Sequence, residues 1–342
     1  MSVGGFAYKS EDRSILLPYY KRFLVEPLLP FIPARINPNT LTHLGHLTNL
    51  SGVLLLLGLW QSRGWPFVVT AILLQIYIWF DNADGGHARR TGQCSPGGEL
   101  LDHGLDILNV VYMGYLSAMT LGMSALGWVV VVGSIAGAGS VTYWEQGETG
   151  IFRLGSMNQI ESGIVLSLAL LVSAVFGVDV WGKVELFGVT PRTAILAWTI
   201  GTIIVGATRA LIRVQKARGI GAAAPLAGLF AACIAAAFAV STGALTAVAA
   251  VTIVAATNVF FAMRMLLVRW RRSLEPDVGT GSLATLLGTT GAVVVAVTLL
   301  HHFEIGPGVG PVSFTVAVTA AGVLGFKSIA DARHAIRLVS AR

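Results

Sequence analysis

The sequence predicts an all-α integral membrane protein, with about ten transmembrane helices preceded by an N-terminal interfacial helix. Of its 342 residues, 54% are hydrophobic and only 12% charged, where a soluble domain carries about 25% charged residues. The apolar residues also fall into separate blocks of about 20, the length that crosses a bilayer core as a helix. The cations, finally, sort by side once the blocks are taken as successive crossings. Together these observations exclude a soluble enzyme.

The first fourteen residues are polar and lack the apolar core of a signal peptide, so the first span is expected to do the targeting. Residues 15–32 mix Ile15, Leu16, Leu17, Tyr20, Phe23, Leu24 and Leu28 with Lys21, Arg22 and three prolines. That stretch is too broken to span and too apolar to float, which predicts an interfacial helix. Ten spans follow, at about 42–60, 65–86, 99–122, 124–143, 160–178, 192–212, 222–241, 244–268, 282–301 and 311–331. With a cytoplasmic N-terminus, only Arg63, Lys183 and Arg192 of the cations fall outside. Both termini are therefore expected in the cytoplasm. No repeat of solenoid type and no long linker interrupts the chain. It reads as one polytopic domain over 1–342, with a catalytic core at 38–163 and additional helices over 190–342.

The net charge of +6 serves topology in this reading, so no nucleic-acid partner is expected. The basic run Arg264, Arg269, Arg271 and Arg272 has the same explanation, with binding of acidic headgroups as the lesser alternative. Cys94 and Cys233 are too few and too far apart for a disulfide framework or a zinc site.

Charge inside spans is costly and marks function by default. One region concentrates it: Asp81, Asp84, Asp102 and Asp106 fall within one short stretch, together with Gly85, Gly86, His87, Arg89, Gly98 and His103. Asp81 and Asp84 are three apart and Asp102 and Asp106 four apart, so each pair shares a helix face. The topology puts both pairs at the cytoplasmic ends of the second and third spans, joined by a short turn. Opposed, the two faces make a four-carboxylate cage. Such a cage needs cations to offset its own repulsion. All-oxygen ligation suits Mg²⁺, Mn²⁺ or Ca²⁺, and two such ions about 3.5 to 4 Å apart would clamp a phosphate for in-line displacement. Gly85 and Gly86 open the helix to a ligand, and Arg89 is a candidate bidentate phosphate donor.

The spacing Asp81-x2-Asp84-Gly85-x2-Ala88-Arg89-x8-Gly98-x3-Asp102-x3-Asp106 resembles, without a gap, the signature of the CDP-alcohol phosphotransferase superfamily. The resemblance implies a membrane enzyme that splits a CDP-linked alcohol and joins the phosphoalcohol to a second alcohol. It implies Asp81, Asp84 and Asp102 as metal ligands, and Asp106 as general base that also reaches the metal. Mg²⁺ or Mn²⁺, as two ions, would be the cofactor. Gly85, Arg89 and Gly98 would line the CDP site, with Arg89 also neutralising charge on the departing nucleotide. A homodimer is implied as well.

Within the superfamily, Ala88-Arg89-Arg90-Thr91, Ser95-Pro96-x-Gly98-Glu99-Leu100-x-Asp102-His103-Gly104-x-Asp106, Pro38-Asn39-Thr40-Leu41-Thr42 and Trp144-Glu145 resemble the choline/ethanolamine phosphotransferases. That branch usually carries Lys-Gln where this chain has Gly86-His87. The likeness implies CDP-choline or CDP-ethanolamine as donor, diacylglycerol as acceptor, a phospholipid as product, and Asn39 and Thr42 as nucleotide contacts. Tyr143, Trp144 and Glu145 are either a seat for a quaternary ammonium or plain interface anchors. Asn158, Gln159 and Glu161 read as a helix cap or as an acceptor-side feature. His103 is a weaker candidate for proton transfer and His87 for an orienting role. The rivals are transfer from CDP-diacylglycerol to a small alcohol, against which the span count argues, and an ion or phosphate transporter. The transporter predicts charges at mid-membrane and an inverted repeat, and neither is seen.

Overall fold

The computed structural model describes residues 9–59, 62–185 and 187–272. Helices α2 (Pro38–Gly58), α3 (Trp65–Thr91), α4 (Pro96–Thr120), α5 (Ala125–Thr149), α6 (Gln159–Phe176), α8 (Pro191–Arg218), α9 (Ala224–Ser241) and α10 (Ala247–Arg272) coincide with the first eight expected spans. The ninth and tenth, 282–301 and 311–331, lie outside the described residues. Six described helical segments are long and apolar enough to cross a membrane: α3, α5, α6, α8, Ile220–Ser241 and α10. The chain is thus an all-α membrane protein. Among the long helices, α2 and α4 fall short of that measure, because they carry His43, His46 and Asn49, and Glu99, Asp102, His103 and Asp106.

The segment expected as one interfacial helix is irregular. It comprises α1 (Leu17–Tyr20), a π-helical turn at Lys21–Val25 and a 3₁₀ turn at Leu29–Phe31. Pro27 and Pro30 lack the N–H a continuous helix needs. Ile15, Tyr19, Phe23, Leu24 and Phe31 stand exposed along it. Two short strands, β1 (Lys9–Asp12) and β2 (Ile151–Leu154), pair with each other. Helix α7 (Val180–Lys183) is a single turn.

The described helices fall into two compact units. One contains α1, α2, α3, α4, α6 and α7. Lipid offers helices no hydrophobic drive to associate, so small residues and interhelical hydrogen bonds must supply it. Here Gly45 faces Phe80 and Gly52 faces Thr70, so closely that a Cβ on either would sit 3.0 and 3.2 Å from the neighbouring side chain. Gln75 donates to Ser167 Oγ (2.8 Å) and Asn49 to Asn109 Oδ1 (3.1 Å), tying α3 to α6 and α2 to α4.

The other unit packs α5 against α9 and α10. Gly147 lies on the backbone of Met265, and Ser140 donates to Asn258 Oδ1 at 2.8 Å. At the C-terminal end of α5, Glu145 pairs with Arg153 (2.9 Å) and Arg213, and Glu148 with Arg272 (2.7 Å). Trp144 is 0% exposed and donates its indole N–H to the Ala222 carbonyl. The aromatic and acidic groups considered as an ammonium seat are thus committed to packing and ion pairs within this unit.

Candidate active site

Helix α3 continues to Thr91, five residues past the expected end of its span, and so carries Asp81, Asp84, Gly85 and Arg89 on regular helix. It stops at Gly92, whose φ of +70° is open to glycine but strained for other residues. Ser95 then caps α4 by accepting from Gly98 N–H at 3.0 Å, which sets Asp102 and Asp106 on that helix's first turns. The cap and the stop together hold the two aspartate pairs at the same level.

The four carboxylates converge in fact and not only in register. Asp81 stands within hydrogen-bonding reach of Asp106, and Asp84 of Asp102. Asp102, His103 and Asp106 present ligand atoms all within 4.8 Å of one another, with His103 Nδ1 3.9 Å from Asp106 Oδ2. Asp84 is buried and accepts from Thr42 Oγ1 at 2.6 Å and from the Gly85 N–H. A Cβ on Gly98 would lie 3.2 Å from Asn39 Oδ1, and one on Gly85 3.3 Å from Arg89 Nη1. Thr42, Gly85 and Arg89 thus neighbour Asp84, while Asn39 lies beside Gly98 one turn before Asp102.

Cations near this acidic knot are few. Lys21 acts on Asp81 and Arg89 on Asp84. Asp102 Oδ1 is buried with no hydrogen-bond partner among the described residues, a costly state for a carboxylate oxygen. Carboxylate oxygens from two helices, one of them orphaned, form a donor set that fits a hard divalent cation.

Tyr20, Lys21 and Tyr77 also neighbour the site, beyond the residues that the sequence singles out for it. Tyr20 and Lys21 arrive from the irregular N-terminal segment; burial, reinforced by the charge of Asp81, pushes the Tyr20 hydroxyl up to about 12. Tyr77 precedes Asp81 by one helical turn and accepts from Gln159 Nε2 at 2.8 Å. Gln159 also stands within hydrogen-bonding reach of Asp81, so one member of the cluster opening α6 does reach the site. Glu161 does something else: its Oε1 accepts from Ser14 Oγ, Ile15 N–H and Leu16 N–H, pinning the N-terminal segment to α6.

His87 is likewise a fastener. Arg90 can only donate, so His87 Nδ1 accepts from it (3.0 Å) and Nε2–H donates to the Ile36 carbonyl at 2.8 Å. Arg90 and Gln93 also donate to the carbonyls of Ile32 and Ala34. Gly86 leaves room for Leu29, which a Cβ would meet at 2.8 Å.

Fold and site together define an all-α integral membrane protein with a four-carboxylate cluster between two helices. The chain belongs to the CDP-alcohol phosphatidyltransferase family, whose model matches residues 35–215. It is similar to Cholinephosphotransferase 1 of Gallus gallus, 36% identical over 194 residues that cover 53% of this chain and 56% of the relative. It is also similar to Cholinephosphotransferase 1 of Homo sapiens, 32% identical over 169 residues covering 45% and 40%. A Dictyostelium discoideum protein, Uncharacterized CDP-alcohol phosphatidyltransferase class-I family protein 3, is 30% identical over 201 residues covering 53% and 47%. The chain thus spans about half the length of the curated relatives it matches.

Proposed function

We propose that the protein transfers a phosphoalcohol group from CDP-choline or CDP-ethanolamine to the hydroxyl of diacylglycerol, forming a phospholipid and releasing CMP. The observation that carries this reading is the convergence of Asp81, Asp84, Asp102 and Asp106 with Thr42 and Arg89 around one point. Similarity to proteins named cholinephosphotransferase supports the choice of donor.

Asp81, Asp84, Asp102 and Asp106 would hold two Mg²⁺ or Mn²⁺ ions. Bound there, the ions would supply positive charge to the pyrophosphate and its leaving group. Asn39, Thr42, Gly85 and Gly98 border the space for the CDP moiety. Asp106 accepts the proton of the acceptor hydroxyl, and the alkoxide attacks the phosphorus on the alcohol side of the pyrophosphate. The bond from that phosphorus to the bridging oxygen breaks, and the Arg89 guanidinium neutralises charge gathering on CMP.

In the same reading the protein crosses the membrane ten times, with both termini and the aspartates on the cytoplasmic side. The exposed apolar side chains of 15–32 lie in the membrane interface, and the protein works as a homodimer. The test is CMP release from purified protein with Mg²⁺ or Mn²⁺. CDP-choline, CDP-ethanolamine and CDP-diacylglycerol are each offered with diacylglycerol or small polyols. Release from a soluble CDP-alcohol with diacylglycerol is expected; release only from CDP-diacylglycerol would reverse the donor.

A further inference from the structure

Deeper along the two helices that bear Thr42 and Asp106 lies a second polar set that the transfer chemistry leaves unused. Asn49 and Asn109 are 1% and 3% exposed, and Asn49 Nδ2 donates to Asn109 Oδ1 at 3.1 Å. Next to them the rings of His46 and Tyr112 lie 5.3 Å apart between centroids, tilted at 42°, with Tyr112 Oη 3.5 Å from His46 Nε2. His46 and Asn49 follow Thr42, and Asn109 follows Asp106, at the spacing of one helix face, so these three lie on the site-bearing faces of their helices, with Tyr112 a further turn along from Asn109. Both helices lead away from the aspartates. At 1.5 Å per residue the set begins about 5 Å beyond Asp106 and ends about 10 Å beyond Thr42.

A polar pair that only joins helices ends with its hydrogen bonds made. This set does not. His46 Nδ1 and Asn49 Oδ1 are buried with no hydrogen-bond partner among the described residues. Asn109 faces His46, but without hydrogen-bond geometry at Nδ1. With Tyr112 donating to Nε2, His46 carries its proton on Nδ1 and has a donor to offer, while Asn49 Oδ1 offers an acceptor. Hydrocarbon would leave the His46 donor unpaired; an ester carbonyl oxygen of a ligand would accept from it. A glycerolipid whose free hydroxyl meets Asp106 carries its ester groups a few ångströms further toward the hydrocarbon, which is the step from Asp106 to this set.

We propose that His46, Asn49, Asn109 and Tyr112 form the acceptor subsite, holding the glycerol ester region of a lipid whose hydroxyl reaches Asp106. The assignment rests on the transferase reading above and adds the residues that select the acceptor.

The test uses the full chain in detergent with Mg²⁺. The acceptors are dioctanoylglycerol and its dialkyl ether analogue, which keeps the hydroxyl and lacks the carbonyls. His46→Leu and Tyr112→Phe should each raise the KM for dioctanoylglycerol about tenfold, the size of one hydrogen bond. They should leave the KM for the CDP-alcohol unchanged and erase the wild-type preference for ester over ether. Dioctanoylglycerol alone should also raise the Tm of wild-type protein, and less so that of the variants. Tyr112→Phe, which removes one oxygen, serves if His46→Leu does not fold. Unchanged acceptor KM in the variants, a parallel rise in donor KM, or equal stabilisation of wild type and variants would overturn the subsite. Wild-type protein that is selectively stabilised yet releases no CMP from any donor would instead overturn the transferase reading and support the subsite.

Discussion

Thr42 Oγ1 donates a 2.6 Å hydrogen bond to Asp84 Oδ2, joining the first turns of α2 to the acidic end of α3. The hydroxyl has one proton and Asp84 uses it, while the Gly85 N–H occupies the other carboxylate oxygen. Asp84 is thereby held in one orientation by two hydrogen bonds, with the Arg89 charge nearby.

Loss of that bond should loosen the site without emptying it. Thr42→Val keeps the shape and removes the donor, and kcat/KM for CMP release should fall about 10- to 100-fold, as for other groups that orient metal-binding side chains. Thr42→Ser should recover most of the activity. Equal activity in all three proteins would show that the bond is idle.

Asp106→Asn should abolish turnover, because the amide cannot accept the acceptor's proton, while CDP-alcohol still binds. Donor binding by calorimetry separates the two effects. Near-wild-type CMP release from this variant would refute the base assignment.

Chelation with EDTA should stop the reaction, and Mg²⁺ or Mn²⁺ should restore it. Four clustered carboxylates repel when no cation offsets them, so metal-free protein should melt earlier than metal-loaded protein. Asp102→Asn removes one negative charge and replaces one carboxylate oxygen by an amide nitrogen; it should raise the Tm of the metal-free form and shrink the gain on adding Mg²⁺. A Tm that ignores metal in both proteins would argue against a cation here.

Two glycines make an informative contrast. A Cβ on Gly163 would meet Ile78 Cδ1 at 2.1 Å, the end of a side chain that can rotate away; on Gly147 it would meet the Met265 backbone oxygen at 2.9 Å. Gly147→Ala should therefore cost about 2 kcal/mol and Gly163→Ala less, despite the shorter distance. Thermal melts of the two variants decide it, and the reverse ranking would contradict the backbone argument.

The long helices were legible because the expected spans are largely apolar blocks, and crossing length leaves little freedom in placing them. Eight described helices fall where the first eight blocks lie. The segment 15–32 was legible in composition and not in form. Its prolines break it, and its path follows bonds from Glu161, Trp79 and Arg90, side chains distant in sequence. Tyr20 and Lys21 were missed at the site for the same reason. Tyr77, one turn before Asp81, carried a spacing signal that went unused.

By itself the sequence determined the membrane class and the aspartate faces, because both follow from periodicity along single helices. Register on one helix is a local property. Only the tertiary structure decided that Thr42 serves Asp84, that His87 fastens the N-terminal segment, and that Glu145 is spent on arginines. It also left His46 and Asn49 with unpaired atoms. Those outcomes depend on which faces of separate helices meet, and close packing and hydrogen-bond satisfaction settle that between elements rather than within them.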